Sequence, residues 1–428
     1  MNIFKNKPEV PTVPLICKDT DSTKLIEMYS KFWFLCCCPD FWVTKVNFSD
    51  AFVKMYRPAM IIIHIVMVIF CTSCFMSLWT QHDLSQSQKS DRLAYAAPTP
   101  IITVFYHFVI LYYTDDVRKV LYKLAIVLKI DHDDKKAEQE MIKQSKLYNG
   151  IFFSSCVCNM VLVGLYNFMQ AVTTDATFIT CISAWPDIRD RSALAGVTRV
   201  IFYFLWFLHV VRNMGVFLII HTVLLCLSQQ YKNLKGYFED LNKIFNDTEL
   251  SQKGKELKFE AKFKKGIEQH AMTLWCVDET SRVFQITFSS HVLLWCGLLI
   301  SILPDVLNNE THVPMTLVSN GPRVAAALVG LGYFMFPAGD ITVEASDLPR
   351  AMYGSGWQSC HGRSSRIRKL VVLAMMQAQR PIELKAFGHL TFSYETYVSV
   401  SYSFHLLYKA HLRFIYRLLI SELICYRL

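Results

Sequence analysis

Seven apolar stretches punctuate this chain of 428 residues, most of them close to twenty residues long. A stretch of that length bridges the roughly 30 Å hydrocarbon core of a bilayer, because a helix rises about 1.5 Å per residue. In hydrocarbon a backbone amide finds no water, so a span must be a helix or part of a closed barrel. Barrel strands would alternate in segments of roughly ten residues, and the sequence has no such pattern. Composition agrees: 53% of residues are hydrophobic and 18% charged, whereas average soluble domains are about a quarter charged. The expected class is all-α, a polytopic membrane protein.

The predicted spans are Pro58–Trp79, Tyr95–Thr114, Ile151–Val172, Val200–Leu227, Phe284–Leu303, Val324–Phe336 and Phe387–Tyr408. Trp79 suits an interfacial position at the end of the first. Pro98 and Pro100 suit the first turn of the second. Pro304 marks the end of the fifth, and the sixth is a Gly/Ala-rich core too short to span without residues before Arg323. The apolar block Leu370–Ala378 is also too short to cross and reads as a packed helix beside the membrane, over residues 366–379.

Lysine and arginine set the orientation. Residues 1–57 carry eight, and the loops at 115–150, 228–283 and 337–390 carry eight, ten and seven. The intervening segments, 81–94, 173–199 and 304–323, carry two, three and one. Basic residues accumulate on the cytoplasmic side, so seven transmembrane helices put the N-terminus in the cytoplasm and the C-terminus outside. Residues 1–57 then form a cytoplasmic region with an interfacial aromatic segment, Phe32–Trp42. Residues 58–336 hold spans one to six, 337–386 a cytoplasmic anchor region, 387–408 the seventh helix and 409–428 a tail.

Little else in the chain carries chemistry. Met1–Thr23 is too polar for a cleaved signal. Cys36-Cys37-Cys38 read either as packed thiols or as acylation sites. Cys181 is the cysteine of the outer loops and has no convincing disulfide partner in sequence. Cys360-His361 lacks a second ligand pair for zinc, and neither H-E-x-x-H nor G-x-S-x-G occurs. Neither an enzyme nor a cofactor is implied. The net charge of +9 lies in the cytoplasmic loops, so it speaks for membrane orientation rather than nucleic acid. Asn309-Glu310-Thr311 places a glycosylation sequon at Asn309 in an outer loop. Arg212, within the fourth span, costs roughly 2.5–3.5 kcal/mol to insert unless it is paired. It therefore tethers helices or faces a polar cavity. His107 and His291 read as hydrogen-bonded residues of the bundle.

Residues 350–408 carry a more specific pattern. Ala351, Tyr353 and Trp357 match A-x-Y-x-x-x-W, and Gln379 and Pro381 form a Q-x-P break followed by Leu384 and Ala386. Ser393, Glu395, Thr396 and Tyr397 match S-x-E-T-aromatic, and Ser401-Tyr402-Ser403 match S-Y-S. In this order the motifs resemble the C-terminal signature of the insect odorant receptor family. His221, Leu234 and His270 also resemble the family layout, and the likeness extends loosely over residues 30–408. Two features depart from it. Only Val398-Ser399-Val400 separate Tyr397 from Ser401, about one helical turn fewer than expected, and the chain continues through Lys409–Leu428.

The resemblance implies an odour-gated, non-selective cation channel subunit of the plasma membrane of olfactory sensory neurons. It would be a tuning receptor that forms a heterotetramer with a shared co-receptor. A small volatile apolar ligand would bind among the outer halves of spans two, three, four and six, with Phe105, Tyr106, Tyr166, Met169, Phe202, Tyr203 and Trp206 as candidates. Leu370, Val372, Leu373 and Met376 would anchor subunits to one another. Val398, Val400 and Ser401 would line the pore and its gate. A gustatory receptor of the same superfamily is the alternative, but its final helix would end in Q-F, which is missing. A G-protein-coupled receptor would need the opposite orientation, and a transporter repeated halves.

Overall fold

A computed structural model describes residues 20–39, 41, 42, 48–82, 84, 88, 89, 92, 106, 107, 109–130, 132–173, 177–308, 313–362 and 364–406. Its helices are α1 (Asp21–Leu35), α2 (Asp50–Thr80), α3 (Thr114–Ala125), α4 (Lys135–Thr173), α5 (Ala193–Asp240), α6 (Gln252–Asn308), α7 (Val313–Tyr353) and α8 (Ser364–Ala378). Residues 394–406 form the last described helix, α9. Five of them, α2, α4, α5, α6 and α7, are long and apolar enough to cross a membrane. They contain the predicted spans one, three, four, five and six. Of the second span, the described residues 106, 107 and 109–112 are helical, and a turn at Tyr113 leads into α3.

The helices overrun the bilayer. At 57 residues, α6 is about 85 Å long at roughly 1.5 Å per residue, far more than hydrocarbon requires. The excess lies at the end that carries the basic loops, where ion pairs tie the rods together. Lys232 pairs with Glu140 at 3.3 Å and Lys235 with Glu344 at 3.0 Å, joining α5 to α4 and α7. Arg282 of α6 meets Asp116 of α3 at 2.8 Å, and Lys123 lies 3.6 Å over the Trp275 ring.

The core is organised around α5, whose most apolar window is 89% buried, against 22% in α2 and 28% in α4. A helix that is apolar all round belongs in the centre of a bundle, while α2 and α4 leave broad apolar faces outward, as lipid contact requires. Helix α7 packs closely on α6 because Gly330 has no side chain: a Cβ there would overlap the Trp295 indole. Its carbonyl also receives the His291 Nε2 hydrogen bond, 2.9 Å long, while Trp295 Nε1 donates to His291 Nδ1 at 3.2 Å. His291 is thus the hydrogen-bonded bundle residue that the sequence suggests.

Helix α1 starts at a Thr20–Thr23 capping box, which satisfies otherwise orphaned amides at the helix start. It docks through Ser22, whose amide donates to Glu138 Oε1 at 3.0 Å and whose Oγ receives the Lys129 ammonium at 2.7 Å. Burial pushes the Glu138 carboxyl up, but hydrogen bonds from Ser22 and the charge of Lys129 outweigh it, so the net shift is downward. A carboxyl lowered by folding stabilises the folded state above its unfolded pKa. That contribution is lost as pH falls through the folded value. The aromatic segment after α1 differs from expectation. Trp33, Phe41 and Trp42 are buried in the protein rather than laid along an interface. Cys36, Cys37 and Cys38 are buried as well, which favours packing over acylation.

The seventh span begins later than the sequence suggests. Strands β1 (Lys385–Ala386) and β2 (Leu390–Thr391) form a small antiparallel hairpin. At its turn Phe387 and Gly388 have φ of 53° and 77°, left-handed values that stop a right-handed helix. Helix α9 therefore starts at Tyr394. Residues 407–428, including the tail, lie outside the described residues. The α6–α7 contact predicts that Gly330→Ala overpacks the Trp295 site and costs roughly 1–3 kcal/mol. A lowered melting temperature in detergent, with retained expression, is the expected result by fluorescence-detected size exclusion.

Candidate ligand cavity

Four helices line a partly open cavity of about 100 Å³. Phe152, Cys156, Asn159 and Met160 come from α4, and Trp206, His209, Val210, Asn213, Met214 and Phe217 from α5. Leu294, Trp295 and Leu298 come from α6, and Ala326 from α7. The spacing explains the convergence: steps of three and four residues put these side chains on one face of each helix. Because α4 and α5 run antiparallel, Phe152 and Phe217 meet at one end, with ring centroids 5.8 Å apart. Met160 and Trp206 cluster at the other, towards the 177–192 segment.

The wall is mostly apolar and aromatic, as small-molecule sites usually are. Its polar groups are few. Asn213 Nδ2 donates to His209 Nε2 at 3.1 Å. The amide oxygens of Asn159 and Asn213 are buried and have no hydrogen-bond partner among the described residues. A buried acceptor left unpaired carries a desolvation cost of about 1–3 kcal/mol, so a donor entering this cavity would gain by meeting one. A dry cavity of about 150 Å³ holds benzene. The present volume accepts little more than a fragment until a wall side chain moves, and Met160 and Met214 are the flexible ones.

Below the Phe152 end, aromatic stacking leads to a buried polar cluster. Phe152 stacks on Tyr333 at 4.1 Å, and Tyr333 on His221 at 4.2 Å. The Tyr333 hydroxyl donates to Asn149 Oδ1. Asn149 Nδ2 donates to the Tyr29 hydroxyl at 2.9 Å and to Ser145 Oγ at 3.2 Å. The cavity floor is thus joined to α1. Arg212, one turn from His209, is almost fully buried and donates to His64 Nδ1 at 2.8 Å. It is an interhelix tether from α5 to α2, with His107 edge-on to His64 at 5.8 Å.

Of the seven ligand candidates, the structure puts Trp206 in the wall of this cavity. Tyr203 lies behind it, its hydroxyl donating to the Met160 carbonyl at 3.3 Å, and Phe202 packs on Phe70. Tyr106 is buried against Phe217, 5.2 Å between ring centroids. Tyr166 is half-buried and Met169 exposed, further along α4. Phe105 and Asn309 lie outside the described residues. Sequence reasoning passed over Asn159, His209 and Asn213, though isolated polar residues at helical spacing in two apolar spans were a usable signal.

The anchor candidates fall on one helix with two faces. Ile367, Val371, Ala374 and Ala378 of α8 are buried, and α8 packs on α7. Val372, Leu373 and Met376 are exposed, and Leu370 is half-buried between the two faces. Arg366 pairs with Glu260 of α6 at 2.9 Å, and Glu256 accepts the amides of His361 and Gly362 at 2.8 and 2.9 Å, fixing where α8 starts. In α9, Val398 is exposed, Val400 packs towards the bundle and Ser401 is half-buried. Among the described residues no group of acidic, histidine or cysteine side chains could hold a metal ion.

These features define a multi-pass helical membrane protein with a small, mostly apolar cavity between its helices. The sequence matches the 7tm Odorant receptor family over residues 90–403, most of its length, and the chain belongs to that family. No curated protein matches it. Among solved structures, the insect olfactory receptor OR5 of Machilis hrabei in complex with eugenol superposes with a TM-score of 0.72 at 11% identity. That match covers 92% of this chain and all of the other. A second structure of the same receptor gives 0.71 at 11% identity, covering 91% and 97%. At that identity the likeness speaks for the fold, which is that of an insect olfactory receptor.

Proposed function

We propose that this protein is a tuning odorant receptor: an odour-gated, non-selective cation channel subunit that works with a shared co-receptor in the plasma membrane of olfactory neurons. One observation carries the reading, the mostly apolar cavity between α4, α5, α6 and α7. It suits a small volatile molecule, and the Machilis hrabei receptor in complex with eugenol supports a ligand of that size class. The unpaired amide oxygens of Asn159 and Asn213 favour an odorant with a single hydroxyl. Such a ligand shifts the channel towards conduction to the extent that it binds the open state better than the closed one.

The exposed apolar face of α8, with Val372, Leu373 and Met376, is the proposed contact between subunits, and Leu370 borders it. Helix α9 lines the pore in this reading. Val398, with Val400 and Ser401 beside it, forms the constriction, and an apolar ring of that kind closes by dewetting. The charge distribution supports a cytoplasmic N-terminus, with the long helix ends and α8 on the same side and the 177–192 segment outside.

Replacing Asn213 with Leu tests the pocket. Losing one hydrogen bond worth about 0.5–1.5 kcal/mol lowers potency for aliphatic or aromatic alcohols by roughly 2- to 13-fold. Matched hydrocarbons are spared. The measurement is odour-evoked current in cells that also express the co-receptor, normalised to surface receptor; a uniform shift across the panel would place Asn213 in gating or folding instead. For orientation, an epitope at residue 2 should need permeabilisation for antibody access, and labelling on intact cells would reverse the topology. For assembly, Val372→Asp buries an unpaired charge in an apolar contact and should abolish co-purification with the co-receptor. Undiminished association would remove α8 from the interface.

A further inference from the structure

The segment that follows α4 turns back over the end of α2 and is strapped to it. The Ala184 amide donates to the Ser73 carbonyl at 2.8 Å. Gln81 Nε2 donates to the Ser183 and Pro186 carbonyls, each at 3.1 Å, and Gln81 Oε1 accepts the Ile188 amide at 3.3 Å. Thr80 Oγ1 donates to the Ala184 carbonyl at 3.1 Å. This strap delivers Cys181, half-buried, onto Cys74, which is buried two turns before the end of α2. Their Sγ atoms stand 3.4 Å apart.

We propose that Cys74 and Cys181 form a disulfide in the mature receptor, clamping this segment over one end of the ligand cavity. The inference rests on the orientation argued above, which faces the segment towards the lumen during synthesis and the exterior afterwards. Disulfides form and persist in those compartments. Closing the 3.4 Å gap to a bond of about 2.05 Å needs a shift of roughly 1.4 Å, within reach of side-chain rotation and a small loop adjustment. The oxidant is a carrier disulfide of the secretory lumen, acting by thiol–disulfide exchange. The thiolate of one cysteine attacks a carrier sulfur, forming a mixed disulfide and releasing one carrier thiolate. The thiolate of the other then attacks the receptor sulfur of that mixed disulfide and releases the second. Two electrons pass to the carrier, which leaves as a dithiol with the two protons that the receptor thiols gave up.

The position gives the bond a consequence. Cys74 lies in one apolar cluster with Phe70, Met160 and Trp206, and Cys181 packs against it; Met160 and Trp206 are cavity wall. From the same segment, Phe178 packs edge-on to Tyr203 at 6.0 Å, and Tyr203 contacts Trp206 at 6.3 Å. A covalent clamp at Cys181 would hold that aromatic stack, and with it the cavity end, in place.

The test uses the full-length receptor expressed in insect cells, with free thiols blocked at lysis. Peptide mapping without reductant should find the two cysteines in one cross-linked species that separates on reduction. Maleimide–polyethylene glycol added after reduction should label two sites in the parent and neither in Cys74→Ala or Cys181→Ala. Mapping of the parent needs no variant, so it stands even if a variant folds poorly. On intact cells, a membrane-impermeant maleimide should reach Cys181 in Cys74→Ala. Outside labelling of that variant, with no cross-linked peptide in the parent, would overturn the disulfide and leave the topology intact. Labelling only after permeabilisation would overturn the orientation, and the disulfide with it.

Discussion

A backbone amide in hydrocarbon must find its partner within its own segment, and the architecture of this protein follows from that requirement. It forces long, unbroken helices, and once formed they need not stop at the bilayer surface. Helices of 48, 57 and 41 residues carry the bundle well past the membrane. There water is available, and the rods exchange apolar contact for ion pairs such as Lys235–Glu344. The membrane part is held together differently. Lipid tails are as apolar as leucine, so helices associate there through close packing and interhelical hydrogen bonds. The Gly330–Trp295 approach and the His291 bridge are both of that kind.

Buried polarity concentrates where helices must be fixed relative to one another. Arg212 holds α5 to α2 through His64, and Asn149, Ser145, Tyr29 and Tyr333 join α4, α1 and α7. Each group is costly to bury alone and inexpensive as a set, so the set specifies one arrangement of helices. The second cluster reaches the cavity floor through the Tyr333–Phe152 stack. Phe152, Tyr333, Asn149 and Tyr29 thus form one continuous chain of contacts from the cavity floor to α1. Coupling along it would need two discrete arrangements of the stack.

Much of the fold was legible because its signals are collective. Twenty-residue apolar runs located the spans, five of them now seen as long helices, and the order of motifs in residues 350–403 identified the family. The α8 block, Leu370–Ala378, was recognised because it is too short to cross a membrane. Boundaries were less legible. Phe387–Thr391 is as apolar as a helix start, and only the backbone, with two successive left-handed residues, shows a hairpin. The N-terminal aromatics misled in another way: Trp33, Phe41 and Trp42 have the composition of an interfacial belt, but Trp33 on the capped helix α1 and Phe41 and Trp42 after it are all buried in the core. Hydropathy cannot distinguish lipid from protein as the apolar neighbour.

The cavity was the least legible part, and the reason is geometric. Aromatic residues dominate its wall and its surroundings alike, so apolar and aromatic character within the outer halves of the spans selects Trp206 together with Tyr106 and Tyr203, which lie behind the wall. What distinguishes the wall is the phase of each helix about its axis, set by how α5 is gripped on all sides. The Cys74–Cys181 approach has the same origin. In sequence the two cysteines are 107 residues apart, one in a span and one in a loop, and spacing offers no reason to join them. They meet because Gln81 at the end of α2 recruits the carbonyls of Ser183 and Pro186, a contact visible only once the loop has folded. The polar cap at the end of one helix thus fixes the position of a thiol and holds Phe178 of the same segment against Tyr203, behind the cavity wall.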